Sequence, residues 1–222
     1  MKTIRLPAAF TLIELLVVIA IIAMLAGIAM PVYNMVMLQG RQIAALASGK
    51  QILVGLRAYA NDHGDVFPAE KNAYDEPIVT SNDALRSLIP TYIDNEKVFT
   101  VASSKTGAAA DNKMAEPAQM LARGENHWAF IAGLSQTSNS NWPLLVDHTD
   151  GAGYFTDREG QLGGTWKGKK AVMLNTDGSG AIVPMLGTGD KRYVPRFDDR
   201  TKNALQVSDY MGDGVKLLEP AN

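Results

Sequence analysis

The sequence predicts an α+β fold: a long N-terminal helix, its first half in a membrane, packed on the small antiparallel sheet of a globular head. Three observations predict it. Residues 15–38 form a run of 24 positions without a formal charge. Apolar residues at helical spacing continue past that run. Near the C-terminal end, two short apolar strands flank an Asp-Gly turn. At 222 residues, with 46% hydrophobic and 20% charged positions, the chain has material for one ordinary domain plus an accessory segment.

Composition removes several function classes. There are 21 Lys and Arg against 23 Asp and Glu, a net charge of −2. The field that holds a phosphate backbone is therefore missing, and nucleic acid is not an expected partner. The absence of cysteine excludes a disulfide scaffold, a thiolate nucleophile and a cysteine-ligated metal. His63, His127 and His148 stand in no metal-ligand spacing.

As a helix, the uncharged run spans about 36 Å, enough for a hydrocarbon core of about 30 Å. Lys2 and Arg5 precede it, and Arg41 and Lys50 come well after it. This charge asymmetry predicts a cytoplasmic N-terminus and an exported remainder. A cleaved signal peptide, with Gly27-Ile28-Ala29 as its small-residue site, and a plain membrane anchor both fit the length. Neither accounts for Glu14, set among Phe10, Leu12, Ile13, Leu15 and Leu16. An acidic residue costs about 3 kcal/mol at mid-membrane and less toward the edge, so an intramembrane carboxylate points to function.

Val36, Ile43, Leu46, Leu53, Leu56 and Ala60 extend the helix as an apolar stripe, with Arg41, Gln42, Ser48 and Arg57 off it. Pro31 lacks an amide hydrogen and is the expected kink. Asn61-Asp62-His63-Gly64, followed by Pro68, reads as the helix stop. A short amphipathic helix is expected at 85–93, capped by Ser81, Asn82 or Asp83. Residues 102–126 read as a surface loop with a helical turn near 118–122. Strands are expected at 127–133 and 143–147, joined by a polar loop at 135–141. The clearest hairpin pairs 171–175 with 181–185 through Thr176-Asp177-Gly178-Ser179. The charged tail after Pro195, with Asp198, Asp199, Arg200 and Asp213, reads as a subunit contact or a solvated end.

Candidate chemistry in the head is thin. Asp147, Asp150, Asp157 and Glu159 are close enough in sequence to suggest calcium. The EF-hand spacing fails, because His148 and Val146 stand where its ligands belong, and a solvated acidic loop is the better reading. Asp147 and His148 are neighbours in sequence but match no catalytic motif, and the Gly-rich stretch from 151 to 168 permits turns rather than cradling phosphate. Trp128, Trp142 and Trp166 read as core or rim aromatics. Catalysis is not expected, and no catalytic residue is assigned.

The stretch from Ala8 to Ala23, AAFTLIELLVVIAIIA, resembles the processing signal of type IV pilins and type II secretion pseudopilins. The resemblance is greatest to the major, G-type pseudopilin. It implies that a prepilin peptidase cuts between Ala9 and Phe10 and methylates the new amine, making Phe10 the first mature residue and Glu14 the fifth. Ala9 stands where the family usually has glycine. A neighbouring subunit's Glu14 then neutralises the Phe10 amine as staggered helices assemble. Pro31 and Tyr33 fall where many type IV pilins carry proline and tyrosine.

The stretch from Tyr59 to Pro68 resembles the end of the first helix in major pseudopilins, and 85–93 resembles their second short helix. A cysteine-proline pair found in some relatives is absent at 99–104, and Lys167 stands where some carry a histidine ahead of the Asp-Gly turn. Major pseudopilins bind calcium near the 147–159 region, but their ligands do not map onto these positions.

The implied organisation is a leader at 1–9, a transmembrane and assembly helix at 10–33, its periplasmic half at 34–62 and a pilin-like head at 63–222. The implied function is a structural subunit of a type II secretion pseudopilus or related type IV filament. The implied partners are prepilin peptidase, further copies of the chain, other pseudopilins and an inner-membrane assembly platform. The expected location is the bacterial inner membrane, single-pass, with the head in the periplasm. The alternatives are an adhesive or motility pilin and a membrane-anchored periplasmic binding module that never polymerises.

Overall fold

A computed structural model describes residues 11–104 and 106–221. Lys2, Arg5, Ala9 and Phe10, which carry the predicted orientation and cut, lie outside the described residues. The chain divides into two compact units between Gly40 and Arg41. One helix, α1 (Leu12–Asp62), contributes to both and contains Pro31. The missing amide there removes the bond to the Gly27 carbonyl, four residues earlier.

In the first unit, the large apolar side chains of α1 are open, from Leu12 at 82% exposure to Val36 at 58%. Among the described residues, α1 is the one helix long and apolar enough to cross a membrane, and none of its most apolar window is buried.

In the second unit, α1 buries a face made of Gln42, Ala45, Gly49, Ile52, Leu53, Leu56, Tyr59 and Ala60. Leu53, Leu56 and Ala60 of the predicted stripe lie in this face, but Ile43 is 62% exposed and Leu46 only half-buried. The reason is Gly49, which hydrophobic periodicity overlooks. A Cβ at Gly49 would lie 2.6 Å from Leu174 Cδ1 and 2.9 Å from Trp128 Cη2, so the bare backbone rests on the sheet.

The short helix α2 (Ser81–Arg86) begins and ends earlier than the apolar pattern predicts. Its cap is Thr80, not Ser81, Asn82 or Asp83. The Thr80 side chain accepts from the Asp83 amide, and the Asp83 carboxylate accepts from the Thr80 amide at 2.8 Å. Ser81 and Asn82 are instead buried donors: Ser81 Oγ reaches the Trp128 carbonyl at 2.7 Å and Asn82 Nδ2 the Leu121 carbonyl at 2.8 Å. Pro90 prevents the helix from continuing, since it lacks an amide hydrogen and biases Ile89 away from helical geometry.

The sheet has five strands: β1 (Trp128–Ala132), β2 (Pro143–Asp147), β3 (Lys170–Asn175), β4 (Gly180–Pro184) and β5 (Lys216–Leu218). Their order is β4-β3-β2-β1-β5, and every pairing is antiparallel. The α+β architecture of one long helix and a small antiparallel sheet is therefore present. β1 and β2 are buried throughout, as expected of central strands covered on both faces. Leu174 and Gly180 meet α1, while Met173 and Val183 line a cleft shared with Ala204 and Tyr210.

The tail after Pro195 corrects the sequence reading. Ala204, Leu205, Val207 and Met211 are buried, and β5 closes the sheet edge by pairing Leu218 with Phe130. Its charged residues Asp198 and Arg200 stay exposed, while its apolar residues complete the core. A three-residue strand with one polar and two apolar positions gave no periodic signal to find.

Candidate functional site

The open end of α1 is organised around Thr11 and Glu14. Thr11 precedes the helix and Glu14 is its third residue, the spacing of a capping box. The Glu14 carboxylate accepts from the Thr11 amide at 2.9 Å and the Thr11 hydroxyl at 2.8 Å, both at Oε2. The Glu14 amide donates to Thr11 Oγ1 at 3.3 Å. Oε1 takes no hydrogen bond among the described residues. Glu14 thus closes the helix N-terminus with one oxygen and leaves the other for an external donor. The Thr-x-x-Glu signal was present in the sequence, but the apolar run around it drew attention to the charge rather than the cap.

Below this end, the large apolar side chains of α1 from Leu12 to Met37 are exposed among the described residues. A helix apolar on every side is suited to lipid or to other helices. Tyr33, which the resemblance singled out, is 61% exposed on this surface.

The acidic residues suggested for calcium do not converge. Asp147 is buried in β2, and its Oδ1 accepts from the Val172 amide at 2.6 Å. Burial pushes its carboxyl up to about 8, against the pull of that hydrogen bond and with a further push from Glu219. Asp150 Oδ1 instead accepts from the backbone of its own turn, at Ala152 and Tyr154. Asp157 pairs with Arg192 at 3.3 Å, and Glu159 with Lys167 at 3.1 Å. These are local turn and surface contacts.

Nor do Asp147 and His148 form an acid–base pair. While Asp147 is bound to β3, His148 Nε2 lies 3.0 Å from Thr106 Oγ1. Burial and the adjacent His127 lower the His148 pKa to about 4, so the ring is held neutral. Trp128 and Trp166 are core residues, and Trp142 stands edge-on to Tyr210 at 6.2 Å.

The structure also assembles a cluster that the sequence did not reveal. Glu96, Asp111 and Glu125 each offer a carboxylate oxygen, and the three oxygens lie within 4.8 Å of one another. Burial pushes the Glu96 carboxyl up, as do Glu125 and Asp111, against the hydrogen bond from the Leu121 amide. The three residues come from separate turns of an irregular region, so no motif spacing could have found them.

Comparison with known proteins bears on the N-terminus first. Residues 5–30 match the family model described as the prokaryotic N-terminal methylation motif. The chain is also 34% identical to the fimbrial protein EcpC of Eikenella corrodens over 102 residues. That alignment covers 45% of this chain and 65% of the relative, so the chain spans less than two thirds of that protein's length. No solved structure matches at a significant level.

Proposed function

We propose that this type IV pilin-like chain is a structural subunit of a type II secretion pseudopilus or related type IV filament, made by packing α1 against copies of itself. The observation that carries the proposal is the first unit of α1, an uncovered apolar helix headed by a carboxylate with one unengaged oxygen. In a lipid bilayer, the apolar surface is solvated by acyl chains. In a filament, neighbouring helices take their place, and the Phe10 amine of one subunit approaches Glu14 Oε1 of the next. The local cap and the subunit pair use different oxygens, so assembly need not break the capping box.

In this reading prepilin peptidase cuts between Ala9 and Phe10 and methylates the amine. The N-terminus faces the cytoplasm, and the second unit lies in the periplasm. Other pseudopilins and an inner-membrane platform join the assembly. The likeness to a fimbrial protein favours a surface pilus as the second reading.

The test has two arms. Mass spectrometry of membrane-extracted chain is expected to give a methylated Phe10 start, whereas a start near Met30 identifies a removed signal peptide and overturns the reading. Glu14→Val is expected to insert and be processed normally while losing sheared or cross-linked multimers. Polymerisation of the variant at parental yield removes Glu14 from the assembly contact. Multimers in the sheared surface fraction at native expression favour a pilus, and their confinement to the cell envelope favours a pseudopilus.

A further inference from the structure

The acidic cluster in the second unit contains a buried oxygen that the described residues leave unsatisfied. Glu96 opens the 3-10 turn Glu96–Phe99 and is fully buried. Its Oε1 accepts from the Leu121 amide at 2.8 Å, but Oε2 has no hydrogen-bond partner among the described residues. Glu125, also buried, accepts from the Asp111 amide at 3.0 Å and the Ala122 amide at 2.7 Å. Asp111 closes the outer side, where Lys113 pairs with it. Burying a carboxylate oxygen without a donor, close to two further carboxylates, is strongly unfavourable unless a proton or a metal cation joins them, and a cation can engage all three at once.

We propose that Glu96, Asp111 and Glu125 hold a divalent cation, with calcium the best fit. The donors are all oxygens, the preference of a hard cation, while the absence of nitrogen or sulfur ligands disfavours zinc. Calcium bonds of about 2.4 Å place opposite ligand oxygens up to about 4.8 Å apart, the spacing this cluster allows. Magnesium, at about 2.1 Å, requires a tighter set. With Lys113 offsetting one carboxylate from outside, a divalent ion balances the other two. Water completes the coordination. The ion would tie the turn at Glu96 to the segment leading into β1, closing a loop of irregular chain across the head.

This site is separate from α1 and does not depend on the filament reading. The test uses the full chain in detergent micelles, stripped with a chelator and titrated with calcium chloride alone. Calorimetry is expected to show one site, and the Tm followed by tryptophan fluorescence is expected to rise by several degrees. Asp111→Asn, at the exposed side, should weaken binding at least tenfold without threatening the fold. Glu96→Gln should abolish the calcium-dependent rise while leaving the metal-free Tm equal to the parent's or higher, since it removes a buried charge. A parent that gives neither heat nor a Tm shift up to about 10 mM calcium overturns the site, as do variants that keep the full response. Equal affinity for magnesium overturns the choice of calcium.

Discussion

Both halves of α1 are apolar, yet one is open and the other is buried. Leu25 and Ile28 in the first unit are 62% and 66% exposed, whereas Ile52 and Leu56 in the second are fully buried. The difference lies in the backbone's neighbours rather than in the side chains themselves. In the lower half, Gly49 admits Trp128 and Leu174, and Arg57 donates to the Thr176 carbonyl at 2.9 Å across the β3–β4 turn. In the upper half, a Cβ at Gly27 or Gly40 would meet nothing within 4 Å. Apolar character is thus used for folding in one half of the helix and left uncovered in the other.

The largest expected effect breaks that contrast at its centre. Trp128→Ala removes a wholly buried indole beneath α1 and should destabilise the second unit by about 3–5 kcal/mol. Leu25→Ala should change the same unit by less than about 0.5 kcal/mol, because it removes no intrachain packing. Denaturation of both variants in detergent, followed by far-UV circular dichroism and compared with the parent, provides the measurement. Equal losses would mean that the upper helix contributes to the stability of the head.

A smaller effect should reverse sign along one helix. Gly49→Ala places a Cβ 2.6 Å from Leu174 and is expected to cost about 1–3 kcal/mol through overpacking. At Gly40 a Cβ meets nothing within 4 Å, so Gly40→Ala should be neutral or stabilise the helix by up to about 1 kcal/mol. The three tryptophans, Trp128, Trp142 and Trp166, all lie in the second unit. Their fluorescence reports that unit's unfolding without interference from the membrane half. A loss at Gly40 matching that at Gly49 would refute the close-approach explanation.

What was legible in the sequence follows the same division. The membrane half was readable because an uncharged run needs no tertiary information, and Glu14 stood out against it. β1 to β4 were readable from their apolar runs and the Asp-Gly turn, where Gly178 adopts a φ of +93° beside the Arg57 guanidinium. On the docking face of α1, Leu53, Leu56 and Ala60 follow the apolar spacing, whereas Ile43 does not, because the face continues there through Gly49 and Gln42, which hydrophobic periodicity does not count. β5 was missed because its partner Phe130 lies nearly ninety positions away, and three residues carry no period. The Glu96, Asp111 and Glu125 cluster was hidden for the same reason. Its members meet through irregular turns, where neither spacing nor amphipathicity predicts contact.

The last expected effect is a slope with pH, small only when taken per pH unit, and it sharpens the comparison in terms of charge. Residues 11–40 carry Glu14 as their one charged side chain, whereas the second unit buries Glu96, Glu125, Asp147, His127 and His148 and half-buries Glu219. Asp147 has a folded pKa of about 8, raised chiefly by burial, against about 3.9 for an unfolded aspartate. The folded state therefore binds more protons between those values. The stability that Asp147 contributes is complete below about pH 4 and is lost as pH rises toward 8, by at most about 1.4 kcal/mol per pH unit. His148 acts in the opposite direction: its pKa falls to about 4 on folding, so its contribution is lost as pH drops from about 6.5 toward 4. His127, lowered by burial, has the same sign. Asp147→Asn keeps a side-chain oxygen for the Val172 amide and removes the ionisation. Relative to the parent, it should gain stability steadily from pH 6 to pH 8, and the gain should shrink toward pH 4. The measurement is the difference in Tm between parent and variant across that range, read by tryptophan fluorescence. A difference that stays constant from pH 4 to pH 8 would show that Asp147 does not titrate on folding, and the head's pH dependence would then rest on the other buried groups, Glu96, Glu219 and the two histidines among them.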